Sequence, residues 1–121
     1  YKTVEECPRN VDRQGPLCRL LVDPPYDEGL MGLEPGRSIL VLYWLAGADR
    51  GRLRQSPPHV GGLKGTFALR SPHRPNPIGA AVVEVVEISG RAVTVRGLDC
   101  VDGTPLLDIK PAMRGEEMRG E

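Results

Sequence analysis

Residues 70–79 read RSPHRPNPIG, a stretch in which Arg70, His73, Arg74 and Asn76 stand among Pro72, Pro75 and Pro77. A guanidinium is a planar fork of donors suited to bidentate capture of carboxylate or phosphate, so this set could grip an anionic ligand. Each proline fixes its own φ and pushes the residue before it toward extended backbone. Ser71, Arg74 and Asn76 are therefore expected on a stiff, presenting loop. The same composition would also serve as a plain connector between strands, and the residues alone leave both readings open.

A second cluster spans residues 97–111, GLDCVDGTPLLDIKP, with carboxylates at Asp99, Asp102 and Asp108. Asp102-Gly103 is a strong turn signal, and the Asp102 side chain could simply cap that turn. A loop carboxylate could equally hold ribose hydroxyls, offset a sulfonium charge or accept a proton. The third stretch, Cys7-Pro8-Arg9-Asn10, is by itself no more than a surface turn.

The elements that would hold these loops read as strands. Residues 80–88 (AAVVEVVEI) and 92–98 (AVTVRGL) flank Ser89-Gly90-Arg91, the pattern of a β-hairpin. Residues 38–45 (SILVLYWL) form a continuous run of β-formers, expected to be a core strand buried on both faces. Residues 18–22 (CRLLV), 65–70 (GTFALR) and 105–109 (PLLDI) are shorter strand candidates. The best helix signal, residues 26–33, follows Pro24-Pro25 and stops at Glu34-Pro35-Gly36, a turn or two. Many short strands separated by turns predict an all-β chain, and closure into a small single-sheet barrel would remove exposed edges. Short helical turns and long loops complete that expectation.

At 121 residues with 40% hydrophobic content, the chain suits one domain, residues 1–121. Fifteen glycines and 12 prolines mark many turns without reaching a disordered composition. Lys+Arg and Asp+Glu both number 16, so net charge points to no partner. The distribution is uneven: Arg50, Arg52, Arg54, Lys64, Arg70 and Arg74 fall between Arg50 and Val83, where no acidic residue occurs. Such a run suits either phosphates or a solvated face. Cys7, Cys18 and Cys100 are far apart and form no CxxC pair, and the histidines are only His59 and His73. That pattern favours neither a disulfide scaffold nor a metal site, and points to a reducing, cytoplasmic setting. No apolar run reaches the ~18 residues of a membrane span, and no signal peptide is visible. The charged tail after Met113 is expected to fray.

RSPHRPNPIG followed by GLDCVDGTPLLDIKP resembles the signature of the TsaA-like (TrmO) tRNA methyltransferase family, approximately ATRSPxRPNPIG and LDLLDGTPVLDIKP. The Pro8-Arg9-Asn10 segment is similar to a family stretch ending in PRQ, and residues 56–62 (SPPHVGG) resemble its RPPRLGG. The family's first strand would lie upstream of Tyr1. Asn10 stands where the family's tRNA enzymes carry Gln, Ala46-Gly47 replaces a polar pair, and His59 replaces an Arg.

The resemblance implies a single-sheet β-barrel that binds S-adenosyl-L-methionine at or near a homodimer interface. It also implies methylation of the N6 nitrogen of threonylcarbamoyl-adenosine in the tRNA anticodon loop. By position it places the cofactor against Pro8, Arg9, Asn10, Ala46, Gly47, Arg70, Ala80, Asp102, Gly103 and Thr104, and RNA against Arg52, Arg54, Arg74 and Asn76. No GxGxxG loop or βαβ pattern is present, which argues against the Rossmann-type architecture. Methyl transfer is an in-line displacement at an activated carbon, so positioning can supply much of the rate; no general base is identifiable. Two rivals remain: the same fold and cofactor with another RNA or small-molecule acceptor, or a non-catalytic RNA- or nucleotide-binding barrel. An aromatic content of 4% counts against the latter, because single-strand binders stack bases on several aromatics.

Overall fold

A computed structural model describes residues 16–57, 61–98 and 102–113. These residues form seven strands: β1 (Leu17–Leu21), β2 (Ser38–Trp44), β3 (Arg54–Gln55), β4 (Lys64–Gly65), β5 (Ile78–Ser89), β6 (Ala92–Arg96) and β7 (Leu106–Pro111). Five of them make one sheet in the order β1-β6-β5-β2-β7, antiparallel at every pairing, while β3 and β4 form a separate small hairpin.

The hairpin expected around Ser89-Gly90-Arg91 is present, with Ser89 paired to Ala92 and Gly90 at φ 60°. That left-handed conformation is accessible to glycine without a Cβ penalty. β5 is 12 residues long and serves two neighbours in succession. Its first half, from Ile78 to Glu84, pairs with β2, and its second half, from Glu84 to Ser89, pairs with β6. The register shifts between Val85 and Glu87. Such an irregularity bends a strand and increases its twist, which curls the sheet.

The curl wraps one core. Ile39, Val41 and Tyr43 of β2 meet Ala81, Val83 and Val85 of β5, Val93 and Val95 of β6, Leu20 of β1 and Leu98. Cys18 of β1 and Leu106 and Ile109 of β7 pack against the same cluster, so the two outermost strands share one interior. The expected barrel closure is not found: among the described residues β1 and β7 remain edge strands with no ladder between them. Closure depends on pairing between strands distant in the chain, which local patterning does not report.

Two further expectations are corrected. β2 is not buried on both faces; Ile39, Val41 and Tyr43 are buried while Leu40, Leu42 and Trp44 are only half-covered. Residues 65–70 are not a strand, because after the short β4 the chain turns through a 3-10 helix, Thr66–Ala68. The helical signal at Tyr26 is a 3-10 segment ending at Leu30. No helix among the described residues is long and apolar enough to cross a membrane.

Candidate functional site

The C-terminal end of β2 meets the starts of β5 and β7: Trp44 pairs with Ile78, and Tyr43 with Leu106. Just beyond the ladder, the Trp44 N–H donates to the Pro105 carbonyl (2.9 Å) and the Leu45 N–H donates to the Pro77 carbonyl (2.8 Å). The loop after β2, the proline loop before β5 and the Asp102-Gly103 turn before β7 are therefore gathered at one end of the sheet. Gly79 explains the last letter of RSPHRPNPIG. A Cβ there would lie 2.4 Å from Cε2 of Tyr43, so the tyrosine ring covers the backbone at the site's floor.

The proline loop is stiffened by more than its prolines. Arg74 Nη1 donates to the carbonyls of Leu69 (2.9 Å) and Ser71 (3.0 Å), and the His73 N–H donates to Ser71 Oγ (3.2 Å). From the loop after β2, Arg50 Nε donates to the Pro75 carbonyl (2.7 Å) with its guanidinium 5.3 Å from the Trp44 ring centroid. The Asp49 N–H donates to His73 Nδ1 (3.0 Å). Gln55 Nε2 completes the brace by donating to the His73 carbonyl (2.9 Å) and Thr66 Oγ1 (3.0 Å), and Thr66 Oγ1 donates to the Arg52 carbonyl (2.7 Å).

Of the residues implied for the cofactor, Ala46 and Gly47 lie in the exposed turn that follows β2, closed by the Ala48 N–H on the Leu45 carbonyl (3.1 Å). Ala80 sits in β5 opposite Leu42. Arg70 is exposed and its side chain has no hydrogen bond or ion pair among the described residues. Asp102, Gly103 and Thr104 line a cavity of about 350 Å³ together with Cys18 and Leu20 of β1, Val41, Tyr43, Leu98 and Leu106. This cavity lies between the two edge strands of the curled sheet. Ala46, Gly47, Arg70 and Ala80 are not in its lining. Pro8, Arg9, Asn10 and Asp99 lie outside the described residues.

Of the residues implied for RNA, Arg74 is half-buried and engaged with its own loop, and Asn76 is exposed. Arg54 projects from β3 without a side-chain partner among the described residues. Arg52 pairs with Asp49 (3.4 Å), both side chains about half exposed, so a carboxylate one residue outside the basic run offsets part of its charge. Arg50, Gln55, Thr66 and His73 hold the loops together; sequence reasoning named His73 only as a possible ligand contact and Arg50 only as part of the basic run, and did not single out Gln55 or Thr66. Their partners lie 11 to 25 residues away. No cluster of three or more His, Cys, Asp or Glu that could hold a metal occurs among the described residues.

Among the described residues the fold is an all-β sheet whose loops converge at one end, with a cavity beside its edge strands and no parallel βαβ unit of the Rossmann kind. The chain belongs to the family described as tRNA-methyltransferase O N-terminal domain, whose sequence model matches residues 1–115. It is 46% identical over 111 residues to the probable S-adenosyl-L-methionine-binding protein VirR of Rhizobium radiobacter, covering 92% of this chain and 63% of VirR. It is 41% identical over 88 residues to the tRNA (adenine(37)-N6)-methyltransferase of Mus musculus, covering 70% of this chain and 20% of that protein. The crystal structure of TrmO from Pseudomonas aeruginosa superposes with a TM-score of 0.65 at 32% identity, covering 85% of this chain and 44% of that one. The chain thus spans less than two thirds of the length of these relatives.

Proposed function

We propose that the chain is the cofactor-binding domain of a methyltransferase that uses S-adenosyl-L-methionine to methylate tRNA, at the N6 nitrogen of threonylcarbamoyl-adenosine in the anticodon loop. The observation that carries this reading is the convergence of the family's two long motifs, in the proline loop and the Asp102-Gly103 turn, on one end of the sheet. Relatives named for S-adenosyl-L-methionine binding and for tRNA adenine methylation support it.

The residues suit such a cofactor. A cavity of about 350 Å³ falls within the ~300–1,000 Å³ of small-molecule sites, and it combines apolar Val41, Leu98 and Leu106 with the polar Asp102 and Thr104. Asp102 and Thr104 in the cavity can hold ribose hydroxyls or offset the sulfonium; Ala46, Gly47 and Arg70 lie outside its lining, so their backbone groups and the Arg70 fork would serve only a part of the cofactor that extends beyond the cavity. Bound there, the cofactor supplies an electrophilic methyl group. The chain's part is to orient the two reactants, a contribution of up to ~7–11 kcal/mol in favourable cases. The hydrogen-bonded proline loop is suited to that task because its side chains are mounted on a backbone with little freedom to lose.

The reading includes a homodimer in the cytoplasm. Leu17 and Leu21 on β1 and Leu107 on β7 are exposed apolar side chains along the open edges, which a second copy would cover. The direct test is purified protein with radiolabelled cofactor and tRNA bearing or lacking threonylcarbamoyl-adenosine. Label appearing only in the modified tRNA supports the proposal, whereas label in neither tRNA, with cofactor binding intact, contradicts the assigned acceptor.

A further inference from the structure

The chain's single phenylalanine is not in its core. Phe67 is 80% exposed, in the 3-10 turn directly after β4, and Leu53 and Leu63 beside it are 63% and 61% exposed. The β3–β4 ladder puts these residues together: Arg54 pairs with Gly65 and Gln55 with Lys64, and the Thr66 N–H donates to the Leu53 carbonyl (2.8 Å). An apolar cluster so exposed on a small domain marks a contact surface.

The hairpin is also rigid and oriented. Thr66 is 2% exposed, its hydroxyl is tied to the Arg52 carbonyl, and Gln55 is tied to both Thr66 and the His73 carbonyl of the proline loop. Successive strand residues point to opposite sides. With Gln55 turned toward the proline loop, Arg54 opposes Gly65 on the other side. A Cβ at Gly65 would meet nothing within 4 Å, so the space between Leu63 and Phe67 is open. Arg54 and Lys64 are both exposed but lie on opposite sides of the ladder, since Lys64 pairs with Gln55; Arg70 is exposed three residues after Phe67, and Asp49 is already paired with Arg52.

We propose that the Arg54 side of the β3–β4 hairpin, with the Phe67 turn that follows it, receives the looped, single-stranded part of the RNA, with an unpaired base stacked on Phe67 and phosphates against Arg54. An exposed aromatic on the same short hairpin as an exposed, unpaired arginine is the chemistry by which proteins hold splayed-out bases. A second copy of the chain is the poorer occupant. A two-fold contact through the Arg54 side of the hairpin would bring Arg54 toward its own symmetry mate, with like charges opposed. The inference rests on the reading of the chain as an RNA methyltransferase, and it adds the surface that the motif residues do not provide.

The test uses a synthetic anticodon stem–loop RNA and fluorescence anisotropy, on wild type, Phe67→Ala and Arg54→Ala, with S-adenosyl-L-methionine affinity and melting temperature measured in parallel. Phe67→Ala is expected to bind the RNA roughly 5- to 150-fold more weakly, with cofactor affinity and melting temperature unchanged. Arg54→Ala is expected to weaken binding and make the dependence of log K on log salt shallower by about 0.7–0.9. Wild-type RNA affinity retained by Phe67→Ala overturns the inference while leaving the methyltransferase reading intact. Conversion of Phe67→Ala to a monomer, with the affinity of that monomer for RNA unaltered, assigns the face to a second copy and overturns it as well. A wild-type protein that binds no RNA at all overturns both readings.

Discussion

Arg70 and Arg74 begin as equivalent members of one motif, and their surroundings separate them. Arg74 spends Nη1 on the Leu69 and Ser71 carbonyls, whereas the Arg70 guanidinium is exposed and uncommitted among the described residues. If Arg70 clamps a ligand carboxylate with its planar fork, an ammonium cannot replace it. Both Arg70→Lys and Arg70→Ala should then lower cofactor affinity by roughly 10- to 150-fold, corresponding to ~1.5–3 kcal/mol, with no change in melting temperature. Calorimetric titration of either variant with wild-type affinity would remove Arg70 from the site. Gly79 gives the opposite signature. A methyl there must displace the Tyr43 ring, so Gly79→Ala should cost ~1–3 kcal/mol of stability, read as an earlier midpoint in urea unfolding.

Among the elements, the β5–β6 hairpin and the β1, β2 and β7 strands were legible because runs of β-formers and flanking turn residues are local properties, whereas which face of β2 is buried was not. The segment from Gly65 to Arg70 misled, since its β-forming composition yields to a turn set by distant partners. Thr66 bonds the Arg52 carbonyl 14 residues upstream, and the Leu69 N–H returns to the Thr66 carbonyl. The motif loops could be found in the sequence, but the brace through Gln55 and His73 could not, because it spans 18 residues and depends on tertiary folding. Gln55→Ala tests that brace. It leaves the half-buried His73 carbonyl without its donor, so it should cost about 1 kcal/mol and accelerate amide hydrogen exchange at Thr66 and in residues 71–76. Unchanged exchange in those residues would mean that the prolines alone hold the loop.

At the scale of the whole molecule, the sheet formed by the described residues is curled but open and has two edges, with Leu17, Leu21 and Leu107 exposed along them. A homodimer is expected to cover such edges, and light scattering should return twice the chain mass over a wide concentration range. A monomer mass with activity intact would dismiss the dimer without touching the cofactor site. The central claim concerns the acceptor, and cells report on it most directly. Mass spectrometry of tRNA nucleosides should find N6-methylated threonylcarbamoyl-adenosine in cells carrying the gene, its loss on deletion, and its return on complementation with wild type. An unchanged level of that nucleoside after deletion, in cells with no second gene of the family, would contradict the account.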